Sequence, residues 1–329
     1  MNSIYPWQQT VWRRLLGYVE QRRIPQALLM TGVAGLGQRH LVDVYARTLL
    51  CHDPQADGQA CGHCQSCHLL DAQTHPDYLA IEPDEPGKAI GIDKIRQLIV
   101  KLALKPQFEA YRVVVVEPAD NLNTASANAF LKCLEEPTER TCIVLLSEQP
   151  SRLPATIRSR CQIIASAMPD TELASDWLKA QGVDQNAKLL LDLAQGAPLL
   201  AKQYAEQQLV EVRRECFTQW LQIAQGKCNL LQAAEQWQKQ ERPELTVVLA
   251  WMIGWIGDIA KCALIGEGAR LQNPDLKKSL QGLAERLELK DLFRFYDMLL
   301  TARSQLTTQV NKQLLLEQLL IGWSQLNIR

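Results

Sequence analysis

Apolar residues in the first half of the chain fall into short unbroken runs at 27–30, 113–116 and 142–146, separated by stretches of helical period. A strand buried on both faces needs such continuous hydrophobicity, because its side chains alternate across the sheet and neither face meets water. The pattern predicts parallel strands covered by helices, among them 40–50 and 124–135, the second stopped by Pro137.

From Asp170 the strand signal ends. Asp170, Asp184 and Pro198 are helix starts and Gly182 and Gly196 are stops, so three short helices are expected before about residue 207. The Leu-rich remainder carries Trp220, Trp237, Trp251, Trp255 and Trp323 and is expected to form longer packed helices with the tryptophans in the core. The most hydrophobic stretch, 245–265, is broken by Asp258 and Lys261 and is read as a buried helix rather than a membrane span.

At 329 residues, 47% hydrophobic and 22% charged, the chain can build two or three domains with their own cores. A net charge of −1 argues against a protein that coats nucleic acid through a broad basic surface. The first residues lack the apolar run of a signal peptide, so the ten cysteines are expected in a reducing cytosol, and metal binding is expected of the clustered ones.

Two segments carry candidate nucleotide chemistry. Gly32-Val33-Ala34-Gly35-Leu36-Gly37-Gln38-Arg39 has the glycine positions of a phosphate loop between a strand and a helix. A working loop continues with Lys, for the β- and γ-phosphates, and then Ser or Thr, for magnesium. Gln38 and Arg39 hold those places, and the glycines Gly32, Gly35 and Gly37 alone are also compatible with a plain tight turn. Val113-Val114-Val115-Val116-Glu117-Pro118-Ala119-Asp120 resembles the acidic strand end that partners such a loop, with Glu117 in place of the magnesium-binding Asp and Pro118 in place of the water-activating Glu. Two degenerate motifs together point to a site that has lost its ATP chemistry.

Cys61-x-x-Cys64-x-x-Cys67, with Cys51 upstream, offers the four thiolates of a closed structural zinc site. The three close cysteines also have a ferredoxin spacing, but Asp71 stands where a fourth Cys would follow and no Cys-Pro is present, so zinc is favoured. His63 and His68 are expected to face solvent.

Together these segments resemble the clamp-loader family of bacterial DNA polymerase III, AAA+ proteins with a four-cysteine zinc module inserted after the first helix. Thr74-His75-Pro76-Asp77, Ile92-Asp93-Lys94-Ile95-Arg96, Asn128-Ala129-Phe130-Leu131-Lys132-Cys133-Leu134-Glu135-Glu136-Pro137 and Ser159-Arg160-Cys161 strengthen the resemblance, which spans residues 5–207. It implies an α/β AAA+ (P-loop-like) domain at 1–167 with the zinc module near 51–67, a small helical lid at 168–207 and an all-α collar domain for oligomerisation at 208–329. The damaged motifs, and Leu199 where ATP-binding relatives carry a sensor Arg, are similar to those of the family's non-ATP-binding member rather than of gamma or tau. The delta subunit generally lacks the cysteine module and the Ser-Arg-Cys motif.

The resemblance further implies a stator-like, cytoplasmic subunit of the replicative polymerase holoenzyme (a DNA-directed DNA polymerase, hence a transferase). It would contact delta and gamma or tau, touch the sliding clamp weakly or indirectly, and meet primed DNA through the assembled complex, with no membrane partner. Arg160 would act in trans as an arginine finger on a neighbour's ATP. Two alternatives are an active ATPase, using Lys88 or Arg39, and a zinc-ribbon DNA module. The second is disfavoured because residues 62–68 contain no Lys or Arg. Direct DNA contact fits better at the helix begun by Ile92-Asp93, through Lys94, Arg96 or Lys101, where the competing reading is a solvated face. Asp291-Leu292-Phe293 invites comparison with clamp-binding peptides and is read as core packing.

Overall fold

Each apolar run becomes a strand of one sheet. The computed structural model describes residues 3–55, 57–85, 87–108, 110–136, 138–239, 243–306 and 310–326. They form two compact units, Met1–Leu173 and Ala174–Arg329.

The first unit runs α1 (Gln9–Glu20), β1 (Ala27–Thr31), α2 (Gln38–Leu50), α3 (Gln65–Asp71), β2 (Tyr78–Ile81), α4 (Ile92–Leu102), β3 (Arg112–Val116), α5 (Thr124–Glu135), β4 (Thr141–Ser147), α6 (Ala155–Arg158) and β5 (Gln162–Ala165). The strands are all parallel, in the order β2-β3-β4-β1-β5. Pairing in register sets Leu29 beside Leu145 and Val114 beside Ile143. Alternation then divides the strands between two cores. Leu29, Val114, Val116, Ile143 and Leu145 pack under α4 and α5, while Leu28, Met30, Val113, Val115 and Val144 pack under α1 and α2.

The three expected strands are present, each one or two residues longer than expected. Helix α5 has the expected bounds, although Pro137 lies outside the described residues. Strands β2 and β5, the sheet edges, were not expected, although Tyr78–Ile81 is apolar throughout and Ile163–Ala165 nearly fills β5. In β5 only Ile164 is buried, and in β2 Tyr78, Leu79 and Ile81 are half-buried and Ala80 is exposed. One consequence matters for function: the loop between β1 and α2 lies at the carboxyl ends of the strands, where open α/β sheets present ligand sites.

The second unit, which begins within α7, is helical: α7 (Thr171–Ala180), α8 (Ala187–Leu193), α9 (Pro198–Glu206), α10 (Leu209–Ala224), α11 (Leu230–Lys239), α12 (Leu245–Ile265), α13 (Lys277–Ala284), α14 (Leu289–Gln305) and α15 (Lys312–Ser324). Gly182 and Gly196, at φ +82 and +87, follow α7 and α8 as left-handed stops that cost other residues strain. Its core includes the tryptophans. Trp220 stacks on Trp323 with centroids 3.6 Å apart, and Trp323 Nε1 donates to the Trp220 carbonyl at 2.8 Å.

Helix α12 is long and apolar enough to cross a membrane by length and composition. Val248, Leu249, Met252, Trp255 and Ile259 nevertheless face the core of the unit. Its Asp258 is fully buried and accepts from Asn273 N and Nδ2, both at 2.8 Å, which compensates the lost hydration. The Asp291-Leu292-Phe293 segment is only partly core. Leu292, Phe295 and Leu299 share the buried face of α14, and Phe293, one position out of phase, is 48% exposed.

Candidate functional site

Helix α2 ends at Leu50, and Cys51 leaves it in extended conformation; Cys64 begins α3, its sulfur accepting from Cys67 N. Gly62, at φ +78, supplies the turn between Cys61 and Cys64 that an L side chain resists. The four sulfurs of Cys51, Cys61, Cys64 and Cys67 lie within 4.8 Å of one another. Individual separations are 3.8 Å for Cys51–Cys67, 3.9 Å for Cys51–Cys64 and 4.0 Å for Cys61–Cys67. Sulfurs at about 2.3 Å from a tetrahedral zinc ion stand about 3.8 Å apart, so the cage fits the ion.

Backbone N–H groups of Cys61 and Cys64 point at the sulfurs of Cys51 and Cys61, each at 3.3 Å, as they would toward thiolates. Burial pushes the Cys67 thiol up to about 12 and raises that of Cys51. At Cys64 burial acts the same way, but hydrogen bonds from the backbone of His52 and Cys67 and from neighbouring thiols outweigh it and bring the group down to about 6. His63 and His68 are exposed, as expected, and are absent from the tetrad.

The phosphate loop is occupied by its own chain. Gln38 folds back so that its Nε2 donates to the Val33 carbonyl at 3.0 Å, and a Cβ placed on Gly32 would sit 2.5 Å from that nitrogen. Gln8 Nε2 donates to the carbonyls of Leu36 and Gly37 at 2.9 and 2.8 Å, and Trp7 Nε1 to Leu36 at 2.9 Å. Tyr5 lies against Gly37 and stacks on Trp7.

Arg39 is held by carboxylates: Nη1 meets Glu117 at 2.6 Å and Glu82 at 2.7 Å, and Nε meets Asp43 at 3.1 Å. Burial alone would lower its pKa, but these acids raise it above the ordinary arginine value. Asp43 also accepts from the Tyr78 hydroxyl at 2.7 Å. Pro118 follows Glu117 through a cis peptide bond and brings no proton acceptor. Asp120 accepts from Ser147 Oγ at 2.5 Å and from the N–H groups of Glu148 and Gln149 at 2.8 and 2.9 Å, tying the ends of β3 and β4 together.

Arg160 lies just beyond α6 and is exposed, with Nη2 2.7 Å from Glu135 and Nη1 donating to the Thr156 carbonyl at 3.0 Å. Arg158 is half-buried, and its Nε has no hydrogen-bond partner among the described residues. Cys161, beside Arg160, is a core residue. Leu199 occupies the first turn of α9. On α4, Lys94 is paired with Asp84 at 2.7 Å and Arg96 with Asp93 at 3.1 Å, which leaves Lys101 as the least encumbered of the three cations named for DNA. Lys88 pairs with Glu85 at 2.7 Å.

Sequence reasoning missed the residues that close the loop, Trp7 and Gln8, and gave no role to His75 and Asp77. Both are buried, and Asp77 pairs with buried Arg112 at 3.0 Å. An Arg opening an otherwise apolar strand was the available signal, since a charge placed there needs a buried partner.

A glycine loop joining strand to helix at the carboxyl edge of a five-stranded parallel sheet, with a cysteine tetrad after that helix and a helical unit beyond, defines a P-loop-type α/β protein. Two family models match, described as DNA polymerase III, delta subunit (residues 7–169) and DNA polymerase III, delta subunit, C terminal (residues 207–325). DNA polymerase III subunit delta' of Pseudomonas aeruginosa is 35% identical over 99% of both chains. That of Yersinia pestis is 34% identical, over 97% of this chain and 95% of the relative. Among solved structures, a DNA polymerase III gamma subunit-related protein from Thermotoga maritima aligns over 98% of this chain and 100% of its own at 18% identity, with a TM-score of 0.49. The chain belongs to the DNA polymerase III subunit delta' family of clamp-loader subunits.

Proposed function

We propose that this chain is a clamp-loader subunit that neither binds nor hydrolyses ATP and that serves as a stator for the subunits that do. The observation that carries the reading is the ion pair between Arg39 and Glu117, 2.6 Å apart. In a working site those two positions hold a hydroxyl and a carboxylate that share magnesium. Here one has become a cation bound to the other, and Gln38 occupies the turn that would receive phosphate. An active ATPase built on Arg39 is disfavoured because three carboxylates already claim its guanidinium.

Arg160 is the residue proposed to act outward. Its only described partners, Glu135 and the Thr156 carbonyl, lie at the surface of its own chain, and a surface pair of this kind is worth at most about 1 kcal/mol. It can therefore exchange Glu135 for a γ-phosphate on an adjacent gamma or tau subunit. There a guanidinium neutralises the charge developing in phosphoryl transfer, an effect worth roughly 10³–10⁵ in rate in related chemistry.

The tetrad of Cys51, Cys61, Cys64 and Cys67 would hold one structural zinc ion, with no coordination position left for catalysis. Residues 168–207 and 208–329 would act as lid and collar. The proposed partners are delta, gamma or tau, the sliding clamp weakly or indirectly and, through the complex, primed DNA, all in the cytoplasm. The test is reconstitution: the purified chain should join delta and gamma into a complex that loads a clamp onto primed DNA, and loading at the same rate with this chain omitted would overturn the reading.

A further inference from the structure

A polar path runs from Ser66, which stands on α3 between two cysteines of the tetrad, to the C-terminal end of α4, and we infer that the tetrad's task in this chain is to hold that end of the helix in place. The inference rests on the metal reading above.

The path begins at Ser66, fully buried on α3 between Cys64 and Cys67. Its hydroxyl donates to the Leu50 carbonyl, at the end of α2, at 2.6 Å. With its single proton so used, Ser66 Oγ accepts from His75 Nε2 at 2.8 Å. His75 Nδ1 in turn accepts from Asp77 N at 3.1 Å. These two contacts require a neutral ring protonated on Nε2, and burial favours that form by lowering the pKa of His75.

Asp77 is the next link. Its Oδ1 accepts from Arg112 Nε and Nη2 at 3.2 and 3.0 Å, and its Oδ2 from the N–H groups of Gln107 and Phe108 at 2.8 and 3.1 Å. Arg112 then donates to the carbonyls of Lys101 and Leu104 at 2.8 and 2.7 Å through Nη1, and of Lys105 at 3.0 Å through Nη2. A helix leaves its last carbonyls without internal partners, so a buried guanidinium that holds one of them, Lys101, together with the Leu104 and Lys105 carbonyls just past the helix fixes how α4 ends. The end so fixed displays Lys101 together with Val100 and Leu104, which are 68% and 66% exposed.

Helix α3, at seven residues, is too short to persist by itself. A metal shell gripping Cys64 and Cys67 therefore determines where Ser66 stands, and each later link inherits its position from the one before. Ser66, His75, Asp77 and Arg112 are positioning residues, and none of them is a ligand.

Hydrogen exchange read by mass spectrometry on the whole chain, with metal content measured in parallel, tests this. Stripping the metal with a chelator should speed exchange about tenfold in residues 99–108 as well as in 61–73, with β4 unchanged. Ser66→Ala removes no ligand; it should keep its metal and still speed exchange in 99–108. His75→Ala should do likewise, and His75→Gln, which can present an amide N–H to Ser66, should recover part of the protection. Changes confined to 51–74 on stripping, or wild-type exchange in metal-replete Ser66→Ala, would overturn the inference. A chain isolated without metal would instead defeat the metal reading, and the Ser66→Ala and His75 variants would still decide the path.

Discussion

Arg39 on α2 donates to Glu117 at the end of β3 across 2.6 Å, and the same guanidinium nitrogen reaches Glu82 at 2.7 Å. The pair joins the two positions that in a working phosphate-loop enzyme share magnesium, so the one cation of the site is already claimed by carboxylates of its own chain. Calorimetry should therefore detect no magnesium-dependent ATP binding to the isolated protein. Introducing Gln38→Lys and Arg39→Thr together should not produce turnover, because Pro118 supplies no base. Tight binding of ATP to the wild-type chain would contradict this.

Removing the guanidinium alone should destabilise the chain. Arg39→Ala leaves Asp43, Glu82 and Glu117 facing one another without a cation, and a loss of roughly 1–2 kcal/mol is expected, because the group is partly solvated. The midpoint of urea unfolding measures it, and raised salt should recover part of the loss by screening the remaining acids.

The cysteine tetrad should copurify with about one zinc ion per chain, and Cys64→Ser should release it. Elemental analysis and thiol titration check both statements. A brown protein with iron and labile sulfide would replace zinc by a cluster.

His75 should make stability fall in mild acid. Its folded-state pKa is lowered by burial, with His52 acting the same way and Asp77 opposing. The unfolded chain thus binds more protons than the folded one. Its contribution is complete above the ordinary histidine value of about 6.5 and is lost as pH falls through that value toward the folded one. The difference in unfolding free energy between wild type and His75→Gln, measured from pH 8 to 5.5, should narrow as pH falls, with the acid response of the tetrad common to both. A difference that does not change with pH would contradict it.

In the second unit Trp323→Ala removes the stack on Trp220 and the bond to its carbonyl, and a cost of about 3–5 kcal/mol is expected. Metal content, which depends on the first unit, should be unchanged.

How much of this was readable in the chain differs by feature. Central strands and the tryptophan core were legible because burial on both faces of a strand imposes a continuous apolar run, and burial of one helical face a periodic one. Edge strands β2 and β5 were missed although both carry apolar residues, because an apolar run of three or four residues fits a strand and a buried helix segment equally well. The tetrad was legible because ligand spacing is local, with Cys61, Cys64 and Cys67 three residues apart. The ion pairs of Arg39 with Glu117 and Arg112 with Asp77 join residues 78 and 35 positions apart, and only the fold brings them together. Phe293 shows the converse: an apolar residue within a helical pattern was assigned to the core, and its phase on α14 turns it outward.

The account's central claim is that a chain without ATP chemistry contributes Arg160 to a neighbour's site. The direct measurement is DNA-stimulated ATPase of a reconstituted complex of delta, gamma and this chain carrying Arg160→Ala, with Arg158→Ala and wild type beside it. Assembly and metal content should be equal in all three; ATPase and clamp loading should fall with Arg160→Ala, less than the roughly 10³-fold or more of a single isolated site because the other ATP sites keep their own fingers, and fall less with Arg158→Ala. Wild-type ATPase and loading in a fully assembled Arg160→Ala complex would contradict it and leave Arg160 as the surface partner of Glu135.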